Sequence, residues 1–419
     1  MRTLLKSATI IDTSSPFHKQ KKDILIIDGK IKSIADEITP KENHNRIELE
    51  NLHVCQGWFD TSVSLGEPGY EERETIKNGL AVAAKSGFTD IAVNPNTLPI
   101  TDNKASVEFL RNKALHHATN LHPIGALTQK SKGIEMAEMY DMQKSGAIAF
   151  GDYKKPICND NLLKISLLYA QNFDGLVLSF PKNEAIAGDG VANEGVQSTI
   201  LGLKGIPALA EELQIARDLF LLEYTGGKLH IPTISTKKSV ELLKEAKNKG
   251  LNVSCSVAVH NLLLTDKELE NFDGNKKVSP PLRTDSDVSA LIAGINEGII
   301  DIITTDHNPV DIENKKVEFS TAMDGTIGFE SAFGVLNSIF DIETIVKCLC
   351  TNPKKIFGVP IQSIQEKENA SLTLFNPDTA YKFSLEHIHS SSKNSAFLGL
   401  PLHGATYGVY NNKQLLLRK

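Results

Sequence analysis

The stretch Gln56–Asn96, QGWFDTSVSLGEPGYEERETIKNGLAVAAKSGFTDIAVNPN, decides how the rest of the chain is read. Trp58–Val63 is a short apolar run that fits a strand buried on both faces of a parallel sheet. Gly66-Glu67-Pro68-Gly69 then punctuates the chain as a loop. From Thr75 to Ser86 the apolar residues Ile76, Leu80, Val82, Ala83 and Ala84 predict a helix, with Gly87 as its C-terminal stop. Phe88–Val93 is a second buried strand. Strand, loop, helix and strand follow one another, and the loop leaves the C-terminal end of its strand, where α/β barrels carry their chemistry.

The same texture repeats outward from this unit. Eight candidate strands occur, at Trp58–Val63, Phe88–Val93, Asn120–Leu127, Ala147–Phe150, Gly175–Ser179, Lys228–Ile234, Asn252–Val257 and Ile300–Thr305. Helical patterns stand between them at Ser106–His117, Asn161–Asn172, Ala208–Thr225, Lys237–Lys249 and Asp285–Glu297. That alternation predicts an α/β fold, a (β/α)8 barrel. Both ends of the chain read differently. Before Gln56 the pattern is all β, with a hairpin at Asp23–Ile27 and Lys30–Ile34 turning at Asp28-Gly29 and a further strand-like run at Arg46–Val54. Beyond a helix at Glu343–Cys350 and a break at Asn352-Pro353, strands return at Ala370–Phe375, Ala405–Tyr410 and Gln414–Leu417. Residues 1–55 are therefore assigned to a small β unit, 56–350 to the barrel and 351–419 to a second β portion.

The 419 residues carry a net charge of −6 and five cysteines, Cys55, Cys158, Cys255, Cys348 and Cys350. Mild acidity argues against nucleic acid or an anionic membrane as partner. Few and scattered cysteines suit a reduced compartment, and no apolar run approaches a membrane span, so a soluble, cytoplasmic protein is expected.

The opening stretch resembles the signature of dihydroorotases and their cyclic amidohydrolase relatives, D-x-H-x-H-L-R-E-P-G followed by Pro-Asn-Thr after the next strand. Asp60, Leu65, Glu67, Pro68, Gly69 and Pro95-Asn96-Thr97 match it. Further matches fall in family order: Ala192-Asn193-Glu194-Gly195, Gly205-Ile206-Pro207, Pro280-Pro281-Leu282-Arg283, Thr305-Asp306-His307 and Gly328-Phe329-Glu330. The resemblance covers nearly the whole chain. It implies a metal-dependent amidohydrolase barrel whose two terminal β portions join in one composite β-sandwich, and a site of two metal ions bridged by a water.

Carried over position by position, the resemblance implies that the family's metal ligands fall at Ser62, Ser64, Asp152, Ser179, Thr233 and Asp306. Four imidazoles are thus replaced by hydroxyls, which are poor ligands for a transition metal, while two carboxylates survive. Those could hold magnesium or calcium weakly, not a binuclear zinc pair. No metal is therefore expected. Asp152 stands beside Lys154 and Lys155, and half of an ion pair is its bland reading. A shift of register would instead bring Lys154 into the site, and a carboxylated lysine there is the hydantoinase arrangement. His230 reads as a structural histidine, His260 as packing, and His387-Ile388-His389 as surface histidines outside the barrel. Cys348 and Cys350, two apart on a helix, do not face each other. Among the implied substrate-binding positions Asn96 is kept. The carboxylate-binding arginine is Gly66, the asparagine before Pro280 is Ser279, and the histidine after Asp306 is Val310.

Three readings follow. The leading one is a dihydroorotase-like protein of pyrimidine biosynthesis that is catalytically inactive, with Asp306 a vestige, and that serves as a structural or regulatory partner of aspartate transcarbamoylase; homo-oligomerisation is also expected. The second is an active dihydroorotase interconverting dihydroorotate and carbamoyl aspartate at an atypical site, with zinc as cofactor. The third is a binding protein whose old pocket, lined by Ser62, Ser64, Asn96, Ser179, Thr233 and Asp306, takes a neutral hydrogen-bonding ligand.

Overall fold

The structure is a computed structural model and describes residues 2–41 and 44–418. Five strands come first: β1 (Arg2–Ile11), β2 (Lys21–Ile27), β3 (Lys30–Ala35), β4 (Asn45–Ile47) and β5 (His53–Gln56). The hairpin between β2 and β3 turns at Asp28 and Gly29, both with positive φ, as the Asp-Gly pair predicts. Where one run was expected at Arg46–Val54 there are two strands, β4 and β5. Each pairs in parallel with a different part of β1, and Asn51 at φ 45° turns the chain between them.

The barrel follows with β6 (Trp58–Val63), β7 (Phe88–Val93), β8 (Asn120–Gly125), β9 (Ala149–Phe150) and β10 (Leu176–Leu178). Next come a minor parallel pair, β11 (Ala192–Asn193) and β12 (Gly205–Ile206), which the sequence pattern does not announce, and then β13 (Lys228–Ile231), β14 (Val253–Ala258) and β15 (Ile302–Thr304). Its eight strands run parallel in the order β6-β7-β8-β9-β10-β13-β14-β15. Closure falls between the ends of that order: Val63 pairs with His307, and the Ser64 N–H donates to the His307 carbonyl at 2.7 Å. The buried Asp60 carboxylate reinforces the seam, accepting from the Thr304 and Thr305 hydroxyls and, at 3.2 Å, from the Thr305 N–H. Every residue of β6, β7 and β14 is buried, as strands covered on both faces must be.

The helical run at 342–357 does not break at Asn352-Pro353. A π-turn at Lys347–Thr351 leads directly into Asn352–Phe357, and Pro353 sits in the first turn, where no N–H is needed. The chain ends in β16 (Leu372–Lys382), β17 (Pro401–Asn411) and β18 (Gln414–Leu417). β5 lies between β1 and β16, so both ends of the chain share one eight-stranded mixed sheet. That sheet curls until β3 meets the chain before β16: the Ile31 N–H reaches the Glu368 carbonyl at 2.9 Å and the Ala370 N–H reaches Gly29 at 2.8 Å. Leu5, Ile10, Ile24, Val54, Leu372 and Leu374 fill its interior, a core distinct from that of the barrel. Among the described residues no helix is long and apolar enough to cross a membrane.

Candidate functional site

The C-terminal ends of the barrel strands converge on a small cavity lined by Ser62, Asn94, Tyr153, Lys154, Thr233 and Asp306, among others. Its centre is an ion pair. The loop after β9 turns through Tyr153 at φ 58° and sends Lys154 inward, where its Nζ lies 2.8 Å from Asp306 Oδ2. Ser62 Oγ donates to the other carboxylate oxygen at 3.0 Å, and Asn94 Nδ2 donates to Ser62 Oγ at 3.3 Å. Both charges are buried. Burial works against the Lys154 ammonium, but the Asp306 carboxylate overrides it and holds the lysine above its ordinary range. Burial raises Asp306, and Lys154 and Ser62 offset part of that rise. Beside them the Tyr153 phenol is pushed up to about 12 by burial and by the Asp306 charge.

The expected site residues do not all gather here. Asp152 turns away: its carboxylate accepts from the Thr128 N–H at 3.0 Å and from the Thr128 hydroxyl. The lysine beside it pairs with Asp306 instead, so the expected Asp152 ion pair is not what forms, and only one of the two surviving carboxylates faces the cavity. Ser64 donates to Asn96 Oδ1 at 3.2 Å, and neither lines the cavity. Ser179 donates to Asp218 at 2.6 Å. Ser62, Thr233 and Asp306 are thus the members of the expected set that meet. The pocket expected to be neutral and hydrogen-bonding is built instead around two charges. Its volume is ≈ 20 Å³, room for about one water molecule.

The positions that the resemblance implies for substrate binding lie apart from one another. A Cβ on Gly66 would stand 1.8 Å from the Tyr70 carbonyl oxygen, so the loop's own backbone fills the place where a side chain would begin. The Gly66 N–H is bonded to the Glu74 carbonyl at 2.9 Å and the Tyr70 N–H to the Gly66 carbonyl at 2.8 Å, which holds that loop closed. Ser279 lines a separate small cavity with Arg283, and Val310 is buried.

His230 and His260 are buried in the barrel, whereas His387 and His389 depart from the place expected for them. His230 is buried, with Nδ1 2.8 Å from Ser254 Oγ and Nε2 3.2 Å from Ser256 Oγ, and burial lowers it to about 3. Neither nitrogen is free to bind a metal. His260 is buried with both ring nitrogens unpartnered and is held neutral in the same way, at about 3. His387 and His389 prove half-buried, not surface groups; the His387 ring stacks on Phe383 with centroids 5.8 Å apart.

A binuclear metal site needs several imidazole or carboxylate donors around a shared void. Here an ammonium sits against the single carboxylate, both ring nitrogens of the one lining imidazole, His230, are engaged with serine hydroxyls, the remaining donors are hydroxyls and an amide, and the void is the size of a water. Among the described residues no three His, Cys, Asp or Glu side chains lie together as metal ligands. The residues present do not fit the pair of metal ions that the resemblance implies. Lys154 stands in the cavity, where the shifted register would put it, whereas Tyr153, Asn94 and Ser256 also line it without having been placed there by sequence reasoning. Only Lys154 had a signal, its position two residues past the expected bridging acid.

The parallel barrel with its terminal sheet is a fold shared with solved hydantoinases. It superposes on L-hydantoinase from Arthrobacter aurescens with a TM-score of 0.84 at 21% identity, covering 100% of this chain and 97% of that one. A D-hydantoinase from Thermus sp. gives 0.82 at 20% identity, over 99% and 95%. Within that class the sequence is more specific. A dihydroorotase of Caldicellulosiruptor saccharolyticus is 42% identical, with 99% of this chain and 98% of the relative covered. One of Ruminiclostridium cellulolyticum is 39% identical over 96% of each. The family model "Dihydro-orotase-like" matches residues 53–239. The chain belongs to the dihydroorotase family.

Proposed function

We propose that this chain is a dihydroorotase-family protein of pyrimidine biosynthesis that has lost the hydrolysis and acts as a structural or regulatory partner of aspartate transcarbamoylase. One observation carries the loss: Lys154 Nζ lies 2.8 Å from Asp306 inside a cavity of ≈ 20 Å³. A base that abstracts or delivers a proton must reach its substrate. Asp306 reaches only its own lysine and serine. The closed loop at Gly66 supports the same reading, since a bidentate arginine that would bind a substrate carboxylate has no space to stand there. The cavity volume also disfavours a binding role for the old pocket. The partner role rests on the pairing of a kept scaffold with a closed site, and its chemistry is that of a subunit rather than a catalyst.

The 42% identity to a protein named dihydroorotase favours the second reading, an active enzyme. Metal analysis of protein purified without chelators, with dihydroorotate hydrolysis assayed before and after added zinc, separates the two. No bound metal and no turnover are expected. About two zinc ions per chain with turnover lost in Asp306→Ala would end the inactive reading. For the partner role, this chain and aspartate transcarbamoylase mixed in purified form should co-elute as one complex; separate elution would remove it.

A further inference from the structure

The barrel has a second cavity at its opposite end. Below the N-terminal ends of β6, β7 and β8, ≈ 340 Å³ lies between the barrel and the terminal sheet, a size within the range of roughly 300–1,000 Å³ that small-ligand sites occupy. Lys354, on the helix Asn352–Phe357, reaches it from the core, while Phe357 of the same helix lines the cavity that holds Lys154 and Asp306. Residues at this face of a barrel ordinarily serve stability. A buried ion pair serves it poorly, since apolar groups of similar volume would do as well or better. Lys354 Nζ nonetheless stands 3.2 Å from Asp90 Oδ2, with the two side chains 4% and 5% exposed.

The hydrogen bonds around this pair are lopsided. Asp90 accepts from Asn120 Nδ2 at 3.0 Å and His122 Nε2 at 2.9 Å on one oxygen, and from the Thr89 hydroxyl at 2.8 Å and Lys354 on the other, which fills the lone pairs of a carboxylate. It has nothing left for a cation. Lys354 is the reverse: an ammonium carries more N–H groups than the one Asp90 engages, and among the described residues Asp90 is its one partner. Further out, the walls accept. Asn411 donates to the Thr89 and Ala118 carbonyls at 3.3 and 2.8 Å, and Asn412 to the His117 carbonyl and Asn120 Oδ1 at 2.9 and 2.8 Å. The amide N–H groups of both are thus engaged, and their side-chain carbonyl oxygens receive no donor among the described residues. Gln362, half-buried on the same cavity, makes no side-chain hydrogen bond among them either. A cation at the inner end and acceptors along the walls match a molecule with an anionic head and a body of N–H or O–H donors.

We propose that this cavity binds a small organic carboxylate bearing hydroxyl or amide N–H groups, with its carboxylate on Lys354 and its donors on Asn411 and Asn412. The proposal is independent of whether the barrel site is active. D-Gluconate and N-acetylglycine carry that pattern, and hexanoate carries the carboxylate without the donors. Calorimetric titration of the full chain at millimolar probe should show binding of D-gluconate or N-acetylglycine, and weaker binding of hexanoate. Lys354→Met should abolish the binding. Gln362→Glu sets a negative charge in the cavity without removing a hydrogen bond, so it should weaken binding about tenfold at an unchanged urea midpoint. If Lys354→Met fails to fold, Gln362→Glu decides. A wild type that binds neither probe overturns the proposal, as does hexanoate binding as tight as theirs, or binding that Gln362→Glu leaves unchanged.

Discussion

Lys154 and Asp306 each stand in a place that would be costly for either one alone. Removing one partner of a buried pair leaves a charge with neither water nor counter-charge. Lys154→Met is expected to destabilise the fold by about 3–5 kcal/mol, the usual cost of breaking a buried pair. Adding Asp306→Leu should restore most of it, because two apolar groups then pack where two charges met. Urea unfolding of the wild type, the single variant and the double variant checks this. A double variant no more stable than Lys154→Met would mean that Asp306 also serves Ser62 and the strand end in ways the pair does not capture. At this scale much was legible in the sequence. That hydroxyls stand at Ser62, Ser64, Ser179 and Thr233, where the family resemblance implies imidazoles, is read directly from the sequence. The inward turn of Lys154 does not, because it depends on Tyr153 taking a positive φ in a loop of no fixed local preference.

Elements that surround the mouth of the barrel are tied down from the far end of the chain. The buried Asn394 accepts from the Val310 N–H at 3.1 Å and donates to the Asn308 and Gly325 carbonyls at 3.0 and 3.2 Å. Glu330 accepts from the His389 and Ser390 N–H groups at 3.1 and 2.9 Å, and Glu74 from the Ser391 N–H at 2.9 Å. The tail segment at 389–394 is thus a strap over the loops that follow β6 and β15. Asn394→Ala strands one buried N–H and two carbonyls, and should cost about 3 kcal/mol. Hydrogen exchange at the Val310 amide should quicken in that variant while amides of β6 stay protected. Equal acceleration in both would show that the tail supports the barrel as a whole and not the mouth. Strands and helices of the barrel were predictable to within a few residues because each carries its own apolar period. The strap was not, since its partners lie some sixty to three hundred residues away along the chain.

Across the whole molecule, buried titratable groups set how stability responds to pH. Burial lowers His230, His260 and His307 from 6.5 to about 3. Between those values the unfolded chain takes up protons that the folded one refuses, so stability rises with pH through that window. Asp60 and Asp218, raised by burial from 3.8 to about 6, act in the opposite sense over the upper part of it. Asp152, Asp306 and Glu330 are raised by burial as well and add to that opposing contribution, so the acid side carries contributions of both signs. Lys315 acts at higher pH. It is buried, bonded to the Gly274 and Lys277 carbonyls at 2.8 and 3.2 Å, and lowered by burial from 10.5 to about 7. Stability should therefore rise between about 7 and 10 as the unfolded lysine alone stays protonated. The urea midpoint should increase from pH 7 to pH 9, and Lys315→Met should flatten that rise. A wild-type profile already flat above pH 7 would mean that Lys315 titrates normally in the folded state.

By itself the sequence determined the class of this protein. Eight apolar runs alternating with amphipathic segments dictate a barrel, since strands buried on both faces and helices buried on one leave those periods in the chain. The motifs from Asp60 to Glu330 point to the family, and hydroxyl residues stand where the resemblance implies its imidazole ligands. Tertiary structure alone decided what meets at the barrel's mouth. A lysine enters, the Tyr70 carbonyl occupies the space next to Gly66, and Asp152 turns to Thr128. These outcomes depend on which way a loop turns and what it meets across the barrel, and neither is encoded in any local period.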